Sequence, residues 1–140
     1  MPPLSNREIA ETLERYANLA SIAGENPFRS RAFQRAADVV RDLHEPVAAL
    51  IDRGDLRGLP GVGSGIADSI EALVLTGTLP ALEALQRTVP ATLLDLLQVP
   101  GVGVKTATRV YRELGVVDLP GLVAAAQSGR IRVLPGLGSK

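Results

Sequence analysis

Apolar residues recur at spacings of three and four along nearly the whole chain, which is the pattern of helices that bury one face. The first stripe lies within residues 5–24 and consists of Ile9, Leu13, Tyr16, Ala17 and Ala20. Ser5 followed by Glu8 predicts a capping box at the start of this helix, and Gly24 is placed to end it. No segment shows sustained alternation with a period of two, and the nearest, residues 130–134, is short. The pattern therefore predicts an all-α fold.

Glycine and proline divide the rest of the chain into further helices. Asn26 can cap a helix that begins at Pro27, because proline is favoured at the first helical position. Gly54, Gly77 and Gly115 follow apolar stretches as stop signals. The predicted helices after the first span residues 27–43, 46–53, 64 or 65 to 76, 80–87, 91–98, 104–114 and 120–127.

One short turn occurs three times, as LPGVG at residues 59–63, VPGVG at 99–103 and LPGLG at 134–138. Its prolines lie at positions 60, 100 and 135, so the copies are 40 and 35 residues apart. Because the segments between the turns share little beyond helicity, we interpret the repeat as one supersecondary unit used again, not as a stacked solenoid. No helix follows the third copy, so we expect the chain to be a fragment of a longer protein.

The composition excludes several kinds of site. The chain has no cysteine, which excludes disulfides, thiolate metal sites and thiol nucleophiles, and its single histidine, His44, does not support a zinc site or a catalytic triad. No apolar run approaches the roughly 20 residues of a membrane span, so we expect a cytoplasmic protein without a membrane partner. Fifteen basic and fifteen acidic residues give zero net charge, from which we expect weak binding of any nucleic acid.

The repeated turn differs from two familiar phosphate-binding loops. Residues 101–106 insert Val104 between Gly103 and Lys105, whereas a P-loop needs an adjacent Gly-Lys pair after a strand. Residues 61–66 place Ile66 where a dinucleotide-binding fingerprint needs its third glycine.

A helix–turn–helix connection with a side-chain-poor loop remains. Glycines at 61, 63 and 65 allow a polyanion to approach the backbone closely. The N–H groups of the loop and of the next helix's first turn can then donate to a phosphate oxygen, independently of base sequence. The alternative is that such turns simply join helices, but three copies with an apolar residue kept between two glycines favour function.

The pattern apolar–Pro–Gly–apolar–Gly between two helices resembles the helix-hairpin-helix motif of DNA repair proteins. The wider sequence resembles the N-terminal part of X-family DNA polymerases, above all the bacterial and archaeal type that carries a PHP exonuclease domain. The segments that carry this resemblance are 24-GENPFRSRAFQRAA-37, 58-GLPGVGSGIADSI-70, 76-TGTLPALEAL-85, 97-LQVPGVGVKTATRVYRELGV-116 and 134-LPGLGSK-140.

The resemblance implies an N-terminal helical domain, residues 1–88, that contains the first hairpin and binds the 5′-phosphate side of a gapped DNA. Residues 89–140 would form a thumb-like region with the second hairpin and the start of a third. The parent protein would be a base excision repair polymerase with 3′–5′ exonuclease activity, and its catalytic Mg²⁺ or Mn²⁺ would lie outside this chain. The expected partner is gapped or nicked duplex DNA, bound by a monomer at the bacterial nucleoid.

The resemblance also places the site residues. Phosphate-contacting groups are expected at Gly61, Gly63, Gly65, Gly101, Gly103, Lys105 and Thr106, and a 5′-phosphate pocket at Arg29, Phe33 and Arg35. K⁺ or Na⁺ would be held by the main-chain carbonyls of Arg57, Leu59, Val62, Leu97, Val99 and Val102. For the arginines the alternative is a solvated helix face, and for Phe33 it is a place in the core.

One departure from the family concerns chemistry. Some members remove a 5′-deoxyribose phosphate through a lysine that forms a Schiff base, and the matching position here is Ser69, while Gly65 replaces another lysine. A serine hydroxyl cannot form an imine, and the chain has no lysine before Lys105. We therefore predict no lysine-dependent lyase activity in residues 1–88. Three functions stay open: a non-catalytic DNA-binding module, a helical interaction scaffold and, less favoured, a lyase.

Overall fold

The structure, a computed structural model, describes residues 4–129 and contains helices with no strand in that range. The described residues form seven α-helices: α1 (Asn6–Ala23), α2 (Pro27–Asp42), α3 (Val47–Arg53), α4 (Ser64–Thr76), α5 (Pro80–Gln86), α6 (Val104–Leu114) and α7 (Leu119–Gln127). Two 3₁₀-helices, Leu56–Gly58 and Ala91–Gln98, precede α4 and α6. The predicted all-α fold is confirmed. The third hairpin and residues 130–134 lie outside the described residues.

The local start and stop signals are those that the sequence predicts. Ser5 Oγ accepts from Glu8 N at 3.1 Å while Ser5 N donates to Glu8 Oε1 at 3.0 Å, which completes the capping box of α1. Asn26 Oδ1 accepts from Phe28 N at 2.9 Å and caps α2. Gly24 ends α1 at φ 80°, in the left-handed region where glycine has no Cβ penalty.

The segment 91–98 differs from its predicted form, because it is a 3₁₀-helix. With three residues per turn, side chains three apart lie directly above one another. Leu93 and Leu96 therefore share one face, and both are fully buried, with Leu94 beside them. The 3₁₀ form thus aligns Leu93 and Leu96 towards the core.

Helix α1 lies at the centre of the molecule. It packs along α2 and also contacts α6 and the second 3₁₀-helix, so buried residues from both halves form one cluster. The predicted division at residue 88 falls between α5 and the second 3₁₀-helix, within the range that this cluster spans.

At the end of α1 the guanidinium of Arg112, from α6, lies against Gly24. A Cβ built on Gly24 would lie 1.7 Å from Arg112 Nη2, so the guanidinium occupies the space of the missing side chain. No basic residue lies in the last turn of α1, and Arg112 places a cation near the negative end of that helix dipole. The contact joins the two halves of the chain.

Among the described residues, no single helix is long and apolar enough to cross a membrane. Helices α4 and α5 pass that test only as a pair, on length and composition, and they are bent by 87°.

Candidate nucleic-acid interface

The two hairpin loops have the same backbone geometry at positions 40 residues apart. Gly61 and Gly101 have φ of 85° and 86°, the left-handed region that only glycine adopts easily. Each lies inside a tight turn, in which Val62 N donates to Leu59 O at 3.1 Å and Val102 N donates to Val99 O at 3.0 Å. The sequence repeat is therefore a structural repeat.

The helix that follows each loop begins without a side-chain cap. Gly63 and Gly103 are the N-cap residues of α4 and α6, both in extended conformation, and within residues 4–129 no side chain caps either helix. The first-turn N–H groups therefore lack the partner that capping would supply. Because they lie at the positive end of the helix dipole, they are suited to bind an anion.

The glycines of the loops leave the approach to these amides open. Within residues 4–129, a Cβ built at Gly63, Gly65 or Gly103 would meet nothing within 4 Å. The apolar residue between the glycines faces inward instead, since Val62 is buried and Val102 half-buried. The buried side chain of this apolar residue anchors the loop to the core.

Arg35, on α2, lies directly against the first hairpin. A Cβ built on Gly61 would lie 3.0 Å from Cδ and 3.1 Å from Cγ of Arg35, so the aliphatic stem covers the loop. Arg35 is exposed and forms no ion pair within residues 4–129. The structure thus brings together two residues that the sequence places 26 positions apart.

A cavity of about 240 Å³ lies beside this hairpin, between α2 and α4. It joins three predicted site residues, Arg29, Phe33 and Gly65, and it also includes Ser69. The periodic positions of its two other lining residues, Ala32 and Ile66, indicate only packing and so do not predict a place in the site.

Phe33 belongs to the core. Its side chain is only 2% exposed, and its ring centroid lies 4.4 Å from that of Tyr16. The guanidinium carbon of Arg29 lies 5.7 Å from both ring centroids, which is within cation–π range. Phe33 therefore supports Arg29 from below, and Arg29 is the group that a ligand in the cavity would meet.

Ser69 Oγ donates to the carbonyl of Gly65 at 3.2 Å, one turn earlier in α4. Its hydroxyl is thus turned back to the helix backbone. The cavity contains a guanidinium and a hydroxyl and no amine.

The two hairpins differ in the charges that surround them. The helix after the second hairpin carries Lys105, Arg109 and Arg112. The matching positions in α4 are Gly65, Ser69 and Ala72, and that helix carries Asp68 and Glu71 instead. The second hairpin therefore has a basic residue, Lys105, in the first turn of its own helix, whereas the first depends on arginines of neighbouring elements.

Phe28, at the start of α2, is a feature that the sequence analysis missed. Its side chain is 75% exposed, and the guanidinium carbon of Arg31 lies 5.7 Å from its ring centroid. The helical stripe identifies buried positions and says nothing about an aromatic residue off the stripe. Its place off the stripe, beside three arginines in residues 29–35, is the signal in the sequence.

Comparison with known families gives two adjoining matches. The family model described as "Helix-hairpin-helix domain" matches residues 4–79, and the one described as "SAM-like Helix-hairpin-helix tandem" matches residues 77–140. The boundary between the two matches lies about ten residues before the predicted division at residue 88.

Three curated relatives are polymerases. The chain is 34% identical to the DNA polymerase/3'-5' exonuclease PolX of Bacillus subtilis over 98% of its own length and 24% of that protein. It is 36% identical to the human DNA-directed DNA/RNA polymerase mu over 77% of the chain and 21% of that protein. It is 30% identical to DNA polymerase lambda of Arabidopsis thaliana over 80% of the chain and 21% of that protein. The chain thus spans about a quarter of the length of these relatives or less.

Proposed function

The chain belongs to the helix-hairpin-helix domain family, and from that premise we propose that it binds DNA through backbone phosphates as the front part of an X-family repair polymerase. The observation that carries the proposal is the pair of equivalent hairpins, each with an uncapped helix N-terminus and open glycines. Such amides bind phosphate oxygens and do not read base edges, so binding is independent of sequence.

The preferred DNA in this proposal is a gapped duplex with a 5′-phosphate. The cavity of Arg29, Gly65 and Ser69 lies next to the first hairpin, so a strand end held by the hairpin amides places its terminal phosphate near Arg29. Arg35 flanks the same loop. Exposed Phe28, with Arg31 over its ring, offers a face on which a base exposed in the gap can stack.

The hairpin carbonyls are suited to a monovalent cation, K⁺ or Na⁺. Leu59 and Val99 each accept one hydrogen bond within the turn, which leaves a second lone pair on each oxygen. A cation held there together with the carbonyls of Arg57, Val62, Leu97 and Val102 would add positive charge on the phosphate side of the loop. The divalent metals of polymerase chemistry belong to parts of such proteins that this chain does not span.

Fluorescence anisotropy with labelled DNA tests the proposal. We expect a dissociation constant of about 10⁻⁴ to 10⁻⁶ M. The affinity should fall as salt is added, and the logarithm of the binding constant should fall with the logarithm of the salt concentration by a slope of about 0.9 per neutralised phosphate. A gapped duplex with a 5′-phosphate should bind more tightly than the same duplex without the phosphate or without the gap. Arg29→Ala should remove that preference, whereas Arg15→Ala, an exposed arginine on α1, should keep it. Equal binding of gapped DNA and heparin would disprove gap recognition.

Borohydride trapping on a 5′-deoxyribose phosphate substrate tests the predicted lack of lyase activity. Schiff-base chemistry needs an unprotonated amine in the cavity, and position 69 supplies a hydroxyl. We expect no covalent adduct in residues 1–88 of the unaltered chain. Ser69→Lys should give an adduct at that position, because the guanidinium of Arg29 in the same cavity favours the neutral amine. An adduct within residues 1–88 of the unaltered chain would contradict the prediction.

A further inference from the structure

The side chain of Arg57 connects the 3₁₀-helix before the first hairpin loop to α4, the helix after it. It follows Leu56 in the first 3₁₀-helix, and its Nη1 donates to the carbonyl of Ser64 at 3.1 Å, in the first turn of α4. Its Nη2 donates to Asp68 and lies 3.9 Å from a carboxylate oxygen of Glu71. One guanidinium therefore contacts a backbone carbonyl and two carboxylates of the helix that follows the loop.

The two carboxylates lie on α4, the helix whose first turn carries the proposed phosphate-binding amides. Asp68 is four residues after Ser64 and three after Gly65, so it shares their helix face one turn further on, and Glu71 follows three residues later. A carboxylate in this position repels a phosphate at the helix N-terminus, and the attraction of the helix dipole falls off within the first turn. Without a compensating cation, the first hairpin would be a poor anion site.

The second hairpin has no equivalent arrangement. At the equivalent positions, 40 residues later, Leu97 replaces Arg57, Thr108 replaces Asp68 and Tyr111 replaces Glu71. That hairpin has no carboxylate at these positions, and it carries Lys105 where the first has Gly65. In the first hairpin the basic residue, Arg57, therefore precedes the loop, whereas Lys105 follows the loop in the second hairpin. Arg57 also occurs together with the two acidic residues that it pairs with, Asp68 and Glu71.

We propose that Arg57 is a positioning residue that neutralises Asp68 and Glu71 and so makes the first hairpin able to bind phosphate, without touching the DNA itself. This inference rests on the proposed DNA binding and adds a residue whose side chain the sequence did not suggest. Because its hydrogen bonds are directed to α4, the guanidinium is engaged before DNA arrives. The hydrogen bond to Asp68 is also the main cause that raises the pKa of Arg57.

A double-mutant cycle separates this role from a direct phosphate contact. Arg57→Ala should weaken binding of gapped DNA about tenfold, because two uncompensated carboxylates then face the phosphate. In the Asp68→Asn/Glu71→Gln background, Arg57→Ala should weaken binding of gapped DNA by less than about twofold. The salt slope should stay unchanged, since no phosphate contact is lost. Arg57→Met, which keeps the aliphatic stem, should behave like Arg57→Ala.

Arg53 provides the matched control. It also pairs with two carboxylates, Glu45 at 2.6 Å and Asp55 at 2.9 Å, but it lies at the end of α3. Arg53→Ala should leave gapped-DNA binding within about twofold of the unaltered chain, because this ion pair is not on the hairpin.

The possible failures are distinguishable. An equal loss in both backgrounds, or a salt slope reduced by about 0.9, would show that Arg57 holds a phosphate itself and would overturn the inference. No loss in either background would overturn it as well. If the unaltered chain does not bind DNA, the proposed function fails before Arg57 is considered.

Discussion

Replacing Gly63 and Gly103 together by aspartate is expected to weaken DNA binding strongly and to leave the fold at least as stable. Both residues are N-caps of the hairpin helices, where aspartate accepts a hydrogen bond from a first-turn N–H group and gains from the helix dipole. The carboxylate then occupies the place that we assign to a phosphate oxygen. Since neither position has a neighbour within 4 Å of a built Cβ in the part of the chain that the structure describes, the new side chains fit there.

The Gly63/Gly103 double change should raise the stability of the fold and lower its affinity for DNA. The free energy of unfolding should rise by a few tenths of a kcal/mol at each site. The affinity for gapped DNA should fall about 100-fold or more, because two linked phosphate contacts are lost together. Anisotropy titration and thermal unfolding followed by circular dichroism measure the two quantities on the same samples.

Gly58 and Gln98 supply a control with the same added charge. They occupy equivalent positions 40 residues apart, one in each 3₁₀-helix, and both are exposed. Gly58→Asp/Gln98→Asp adds two carboxylates near the hairpins without capping either helix, so it should weaken binding far less. If the Gly63/Gly103 variant keeps its affinity with an intact fold, the hairpins only shape a scaffold and the phosphate role is wrong.

The hairpins could be predicted from sequence because local rules determine them. Pro–Gly turns, a glycine that needs positive φ and an apolar anchor act over five consecutive residues, and the structure has the same loop twice. Helix starts and stops were predictable for the same reason, with Asn26 and Gly24 as examples.

What the sequence could not show depends on contacts between distant residues. Arg57 reaches Asp68 across the loop, and Arg112 reaches Gly24 across the two halves of the chain. Neither pair has a spacing that helical periodicity would single out. The 3₁₀ form of residues 91–98 was likewise not predictable from local rules, since helix propensity favours an α-helix there.

Phe33 shows where a resemblance and a hydrophobic pattern lead to different expectations. The resemblance assigns it to a phosphate pocket, while its apolar side chain is equally consistent with the core. The structure places the ring against Tyr16 and beneath Arg29, with 2% of its surface exposed. Its main contribution is therefore to stability, and any effect on DNA acts through the position of Arg29.

Phe33→Ala is expected to destabilise the protein by about 3–5 kcal/mol, through lost burial and the cavity left beside Tyr16. A chain of this size has a total stability of about 5–15 kcal/mol, so this loss is a large part of it. The midpoint of thermal unfolding should fall by about 10–20 °C. Thermal and urea unfolding followed by circular dichroism measure the change.

The other phenylalanine of the chain is the matched control for this loss. Phe28 lies on the same helix but is 75% exposed, so Phe28→Ala should change stability by no more than about 0.5 kcal/mol. A loss of less than about 1 kcal/mol for Phe33→Ala would contradict its place in the core. Phe33→Leu then separates the two roles, because leucine preserves most of the buried volume and removes the ring under Arg29. If Phe33 matters to DNA only by supporting Arg29, this variant stays folded, keeps its affinity for intact duplex and loses part of its preference for the 5′-phosphate.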